Sequence, residues 1–266
     1  MTPFSYETAA SEADAIEKAR TGGRYIAGGT TLIDLMREEI ERPARLIDIN
    51  KLPLGEIREE ADGLVIGALT KMAEVAAHPA AARVQPLLIE ALLEGASPQL
   101  RNMASIGGNL MQRTRCVYFR TLDAPCNKRV PGSGCAAREG FHRNHAIFGT
   151  SEYCVAVHPS DLGVALVALG ATIRTKGPEG SHEFPVDALY RLPLDTPHLE
   201  HRLLPGELIT EIRVPHGAYA RRARYLKMRD RASYEFALVS VEAALDIADG
   251  CVREARLSVG GVGTKP

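Results

Sequence analysis

Arg101 to Cys116 read RNMASIGGNLMQRTRC, and Cys154 to Leu166 read CVAVHPSDLGVAL; the fold turns on these two stretches and what lies between them. Ser105-Ile106-Gly107-Gly108-Asn109 is a turn poor in side chains. Its backbone N–H groups can face a phosphate or ring oxygens, because glycine alone lets another group come so close. Cys116, Cys126, Cys135 and Cys154 then follow with the spacing C-x9-C-x8-C-x18-C. The chain among them is rich in Gly, Pro, Arg and Lys and has neither a helical nor a strand period. It reads as a long ordered loop, and such loops in compact proteins are usually functional.

Three chemistries suit four cysteines on a loop. Disulfides fit small secreted domains, whereas this chain has 266 residues, 45% of them hydrophobic, and builds a core without staples. Structural zinc normally shows a tight C-x2-4-C pair, which is absent here. Iron–sulfur clusters also favour C-x2-C, although widely spaced thiolates ligate them too. Spacing leaves zinc, a cluster and free cysteines open. The basic residues around the loop (Arg113, Arg115, Arg120, Lys128, Arg129, Arg138) offset the charge of metal-bound thiolates, or are simply solvated.

Composition narrows the function classes. Length suggests roughly two domains. Net charge is −1 and aromatic residues make up 5% with no Trp, so neither nucleic acid nor an anionic membrane is indicated as partner. No apolar run approaches the ~18 residues of a membrane span. The N-terminus lacks the basic and apolar regions of a signal peptide.

Along the chain, Ser11 to Asp14 reads as a cap for a helix to about Arg20, followed by a strand at Arg24 to Ala27. Gly28-Gly29-Thr30-Thr31 then leads into a helix from Leu32 to Glu41. Strand, glycine turn and helix place N–H groups at a diphosphate, but this is not G-x-G-x-x-G; an ordinary β–α turn explains it equally. Arg45 to Ile49 predicts a strand parallel to the first, Leu64 to Leu69 another strand, and Lys71 to Ala77 and Pro86 to Gly95 two helices. The first domain boundary is expected between Asn50 and Gly63. Beyond the cysteines come a helix from Asp161, strands at Ala171 to Thr175 and Leu208 to Val214, a helix-like Ser233 to Phe236, and strands at Ala237 to Leu245 and Val252 to Val259. Asp249-Gly250 joins the last two as a hairpin. Cys251 is expected as a small buried strand residue. His158 is expected to order its loop. A lone terminal hairpin buries too little surface, so further residues or a partner are expected to cover this edge.

Ala27-Gly28-Gly29-Thr30-Thr31-Leu32, Ser105-Ile106-Gly107-Gly108-Asn109 and Pro159-Ser160-Asp161, in this order, resemble the flavin subunit of the xanthine dehydrogenase family of molybdenum hydroxylases. Tyr225 to Val241 is similar to the start of that family's C-terminal subdomain. Thr114-Arg115-Cys116, Pro125-Cys126, Pro131-Gly-Ser-Gly-Cys135 and Cys154 resemble the FAD-binding subunits of bacterial periplasmic aldehyde oxidoreductases, which carry a 4Fe-4S cluster. The resemblance implies an α+β, two-domain FAD-binding fold of the vanillyl-alcohol-oxidase/MurB-like kind, plus the start of a C-terminal α/β subdomain. The divisions would be 1–55, 56–215 with the cysteine loop inserted at about 112–158, and 216–266 as part of a subdomain of the CO dehydrogenase flavoprotein type.

It also implies roles. Ile26, Ala27, Gly28, Gly29, Thr30, Thr31 and Leu32 would hold the FAD pyrophosphate, and Ser105, Gly107, Gly108 and Asn109 would hold it from the second domain. Asp161 would accept hydrogen bonds from ribityl or ribose hydroxyls, Ile209 would pack near adenine or flavin, and Lys227 would sit near an isoalloxazine oxygen. Cys116, Cys126, Cys135 and Cys154 would ligate the 4Fe-4S cluster. No acid–base catalytic residue is implied. The chain would pass electrons from the 2Fe-2S clusters of a small partner, through FAD, to an external acceptor. A large molybdenum-cofactor partner would oxidise an aldehyde to a carboxylate, in a heterotrimer. Location would be periplasmic by co-export with a signal-bearing partner, or cytoplasmic. The alternatives are a stand-alone FAD oxidase and an FAD protein with structural zinc.

Overall fold

The computed structural model describes residues 1–266, apart from the side chain of Arg221. Three sheets follow one another along the chain. The first is parallel, with order β1-β3-β2, built from β1 (Ser5–Thr8), β2 (Arg24–Ile26) and β3 (Arg45–Asp48). Parallel neighbours need crossovers. These are α1 (Glu12–Arg20) and α2 (Leu32–Arg37). The Ser11 side chain caps α1 by accepting from the Asp14 N–H.

The second sheet is antiparallel, with order β4-β5-β8-β6-β7. Its strands are β4 (Ile57–Glu60), β5 (Gly63–Gly67), β6 (Thr172–Gly177), β7 (Gly180–Pro185) and β8 (Leu208–Pro215). Between β5 and β6 run α3 (Met72–Ala77), α4 (Pro79–Val84), α5 (Pro86–Glu94), α6 (Pro98–Arg101), α7 (Ile106–Leu110), α8 (Val117–Arg120) and α9 (Asp161–Ala168). The main core joins this sheet to the helices through residues such as Leu64, Ile66, Leu88, Leu92, Leu166 and Ile212. The third sheet, β11-β10-β9, comprises β9 (Ala223–Met228), β10 (Val239–Ala248) and β11 (Cys251–Gly260). It turns Tyr225 and Ala244 into the same core. This is the α+β architecture expected from the sequence.

Several local expectations are corrected. The α2 helix stops at Arg37 instead of Glu41, because Glu39 takes a left-handed conformation (φ 61°) and Ile40 N–H returns to the Leu35 carbonyl. Ser105 to Asn109 is the start of α7: Ser105 is its N-cap and its hydroxyl accepts from Gly108 N–H. Ser233 to Phe236 forms no helix. Tyr234 is left-handed (φ 53°) there, and Glu235 accepts the Arg231 N–H at 2.9 Å. Cys251 is exposed at the head of β11, where the hairpin projects beyond the core. The strands β1 and β4 escaped the pattern because SYET and IREE bury little and show no apolar alternation.

Candidate functional site

Two glycine motifs meet at the seam between the first and second sheets. The loop Ala27 to Thr31 leaves β2 and enters α2. A Cβ added to Gly28 would lie 1.9 Å from the Met103 carbonyl oxygen, so the loop rests directly on backbone leading into α7. Gly29 has φ 71°, a conformation that favours glycine. The seam is also pinned by side chains. Asn50 Nδ2 donates to the Ala27 carbonyl (3.0 Å), and Lys71 Nζ donates to Asn50 Oδ1 (3.4 Å). Lys71 in turn forms a β-bridge with Ser105.

The N–H groups of Ala27 through Thr31 have no acceptor among the described residues. Five backbone donors so left beside a glycine loop suit an anion. The second motif differs from the expectation. Ile106 and Gly107 N–H donate to the Thr70 and Ala68 carbonyls, while Gly108 and Asn109 N–H donate to Ser105. Its glycines serve close packing, with the Gly107 Cβ position only 3.0 Å from the Ala68 Cβ.

Asn109 Oδ1 accepts from Ser160 Oγ at 2.6 Å, and the Ser160 hydroxyl also caps α9 through Gly163 N–H. Asp161 and Lys227, expected at different parts of a cofactor, are bonded to each other at 2.8 Å with side chains 10% and 1% exposed. Tyr225 OH also donates to Asp161 (2.5 Å). Burial pushes the Asp161 carboxyl up, opposed by Lys227 and Tyr225. Ile209 is buried in β8, within the main core. His158 Nδ1 accepts from Ser160 N–H (3.4 Å), the turn-ordering role expected of it, and burial lowers its pKa to about 3.

The four loop cysteines, spread over 39 positions, line one cavity together with Phe119, Asn127, Lys128 and Tyr153. Cys126 and Cys135 face each other in an antiparallel bridge. The Arg129 guanidinium holds the loop shut by donating to the carbonyls of Tyr118, Phe119, Leu122 and Ala124. All five cysteines are free thiols. Burial raises the Cys116 thiol to about 11 and the Cys154 thiol in the same direction. His145 Nε2 lies 3.2 Å from Cys116 Sγ. Among the described residues, no three His, Cys, Asp or Glu side chains are arranged to hold a single metal ion.

A charge network absent from the sequence reading ties this loop to both neighbours. Arg113 bonds Glu41 at 2.5 Å and Glu200 at 3.0 Å, and Lys128 meets Glu200 at 3.0 Å. Glu200 stays ionised down to a pKa of about 2; burial alone would raise it, and Lys128 and Arg113 overcome that. Partners 72 and 87 residues apart leave no spacing signal.

A glycine loop with free N–H groups, seated across a seam from a second glycine motif, defines a two-part protein that takes an anionic ligand such as a diphosphate between its halves. Residues 2–217 match the family described as FAD binding domain in molybdopterin dehydrogenase, and the chain belongs to that family. It is 49% identical over 270 residues to the aldehyde oxidoreductase FAD-binding subunit PaoB of Escherichia coli (strain K12), covering 100% of this chain and 83% of that one. It is 28% identical to the 6-hydroxypseudooxynicotine dehydrogenase complex subunit alpha of Paenarthrobacter nicotinovorans, over 98% of this chain and 73% of that one. The solved carbon monoxide dehydrogenase of Hydrogenophaga pseudoflava shares the fold, with a TM-score of 0.74 at 24% identity over 99% of this chain and 76% of that one. The resemblance to molybdenum-hydroxylase flavin subunits is borne out, and the protein is an oxidoreductase subunit of that kind.

Proposed function

We propose that this chain is the FAD- and 4Fe-4S-containing electron-transfer subunit of a molybdenum-dependent aldehyde oxidoreductase. The convergence of four thiols on one cavity carries the finer part of this reading. Zinc is the rival occupant. A tetrahedral zinc with ~2.3 Å bonds needs sulfurs about 3.8 Å apart, an arrangement that no three side chains here adopt among the described residues. A cluster of four irons would take one thiolate per iron, which matches the four cysteines that line the cavity.

FAD supplies the exchange between two-electron and one-electron carriers; the chain binds and tunes. The N–H groups of Ala27 to Thr31 hold the diphosphate, with Ile26 and Leu32 flanking them. Ser105, Gly107, Gly108 and Asn109 line the opposite wall by close approach. Asp161 and Lys227 would contribute to the site as a buried pair, and Ile209 would support it from within the core behind β8. Cys116, Cys126, Cys135 and Cys154 would ligate the cluster as thiolates, so loading would release the protons of their thiols. We assign the three sheets to the subdomains 1–55, 56–215 and 216–266. Electrons would arrive from the 2Fe-2S clusters of a small partner and leave to an external acceptor, the aldehyde being oxidised in a large molybdenum partner. PaoB being named an aldehyde oxidoreductase subunit supports this substrate class.

The test is an absorbance and EPR spectrum before and after dithionite, with iron and flavin quantified. About four irons and one flavin per chain are expected. Cys126→Ser should remove the cluster absorbance. Full iron content in that variant would sink the ligand assignment, and flavin with zinc in place of iron would establish the rival reading.

A further inference from the structure

We infer that the cysteine loop is a clamp on the FAD diphosphate loop, with Arg120 and Phe119 as the positioning residues that transmit its grip through α2. This rests on the FAD and cluster reading above.

At six residues, α2 is too short to hold itself, since isolated helices under about 12 residues are marginal. Its place is set by packing. On one side Met36 meets Ile26 and Leu46 of the first sheet. On the other side the cysteine loop supplies the contacts. Phe119, with no exposed surface, packs on Leu35 beside Cys126, and Ile40 and Cys116 complete this small core. Arg120 Nη1 donates to Asp34 and Glu38, both at 2.8 Å, and Arg115 reaches Asp34 at 3.6 Å. Arg113, stacked 4.5 Å from the Phe119 ring, bonds Glu41 just past the helix.

Two cysteines thus stand in the same small core as the side chain that fixes α2. The helix hands this position on. Ile33 and Leu35 N–H bond the Gly29 and Thr31 carbonyls at 2.9 and 3.0 Å, so a shift of α2 moves the loop that carries the five free N–H groups. Filling the cysteine cavity therefore fixes the diphosphate loop, and emptying it releases the loop. FAD retention becomes dependent on iron loading.

The experiment measures the FAD dissociation constant by flavin fluorescence on the full chain, alongside iron content and the unfolding temperature. Arg120→Met is expected to keep its iron and unfold normally, yet bind FAD at least tenfold more weakly, about 1.4 kcal/mol. Arg120→Lys should recover part of that loss. Wild type stripped of iron by dithionite and chelator should lose FAD affinity to a similar degree, and regain it on reconstitution. Arg143→Met, on the same loop but paired with Asp230, should bind FAD as wild type does. Undiminished FAD affinity in both Arg120→Met and iron-stripped protein overturns the clamp. A wild type that holds no iron after reconstitution overturns the cluster reading instead, and the Arg120→Met arm still decides whether the loop grips α2.

Discussion

Glu242 lies on β10 with no exposed surface, facing the main core, and neither carboxyl oxygen has a hydrogen-bond partner among the described residues. Burial, reinforced by the nearby Glu90 carboxylate, raises its pKa well above the usual range. The folded state therefore keeps this proton over a pH range in which the unfolded chain has already released it. Its contribution to stability is greatest below the ordinary glutamate pKa and is lost as pH rises from there through the raised folded value. Within that window each pH unit costs about 1.4 kcal/mol. Glu242→Gln should flatten the decline in unfolding temperature as pH rises above the ordinary glutamate pKa; an unchanged slope would mean the carboxyl is not the source. At this scale the sequence announced local chemistry and hid pairings. The four cysteines were legible as a group because they crowd one loop, and the structure brings them to one cavity. Glu242, Arg113 and the Asp161–Lys227 pair were not, since their burial and partners depend on chain brought in from far away.

Among elements, α9 shows how a cap couples to a site. Ser160 precedes an almost wholly buried helix, and its hydroxyl accepts from Gly163 N–H at 2.9 Å while donating to Asn109 at 2.6 Å. Ser160→Ala should cost about 1–2 kcal/mol of stability from the lost cap alone. It should also loosen Asn109 at the glycine seam and so weaken FAD binding. Calorimetry and a flavin titration on the same sample separate the two effects, and a stability loss with full flavin affinity would show that Asn109 holds its place unaided. This helix was legible because a serine cap and a run of apolar residues agree. So were the parallel strand β3 and the hairpin turn at Asp249-Gly250, both left-handed at φ 55° and 76°. The end of α2 and the loop at Tyr234 were not, because left-handed Glu39 and Tyr234 carry no glycine to mark them.

For the whole molecule, the glycine motifs carried the resemblance to an FAD-binding fold, but what they do is divided differently from their likeness to one another. The first motif keeps its N–H groups free, whereas the second spends most of them on its own protein. Sequence alone does not separate these uses, since both need small residues for close backbone approach. The seam itself supplies the test. Gly28 touches the Met103 and Ala104 backbone so closely that a Cβ would sit 1.9 Å from the Met103 oxygen, and backbone on both sides leaves nothing flexible to yield. Gly28→Ala should push the diphosphate loop off its support and reduce FAD affinity at least tenfold, about 1.4 kcal/mol. The main core does not involve the loop and should unfold nearly as before. Gly55→Ala serves as the control: its Cβ would meet nothing within 4 Å in the segment joining the first two sheets, so flavin content should match wild type. If Gly28→Ala binds FAD normally, the two halves can separate by the width of a methyl group without consequence, and the diphosphate loop is not braced by the seam.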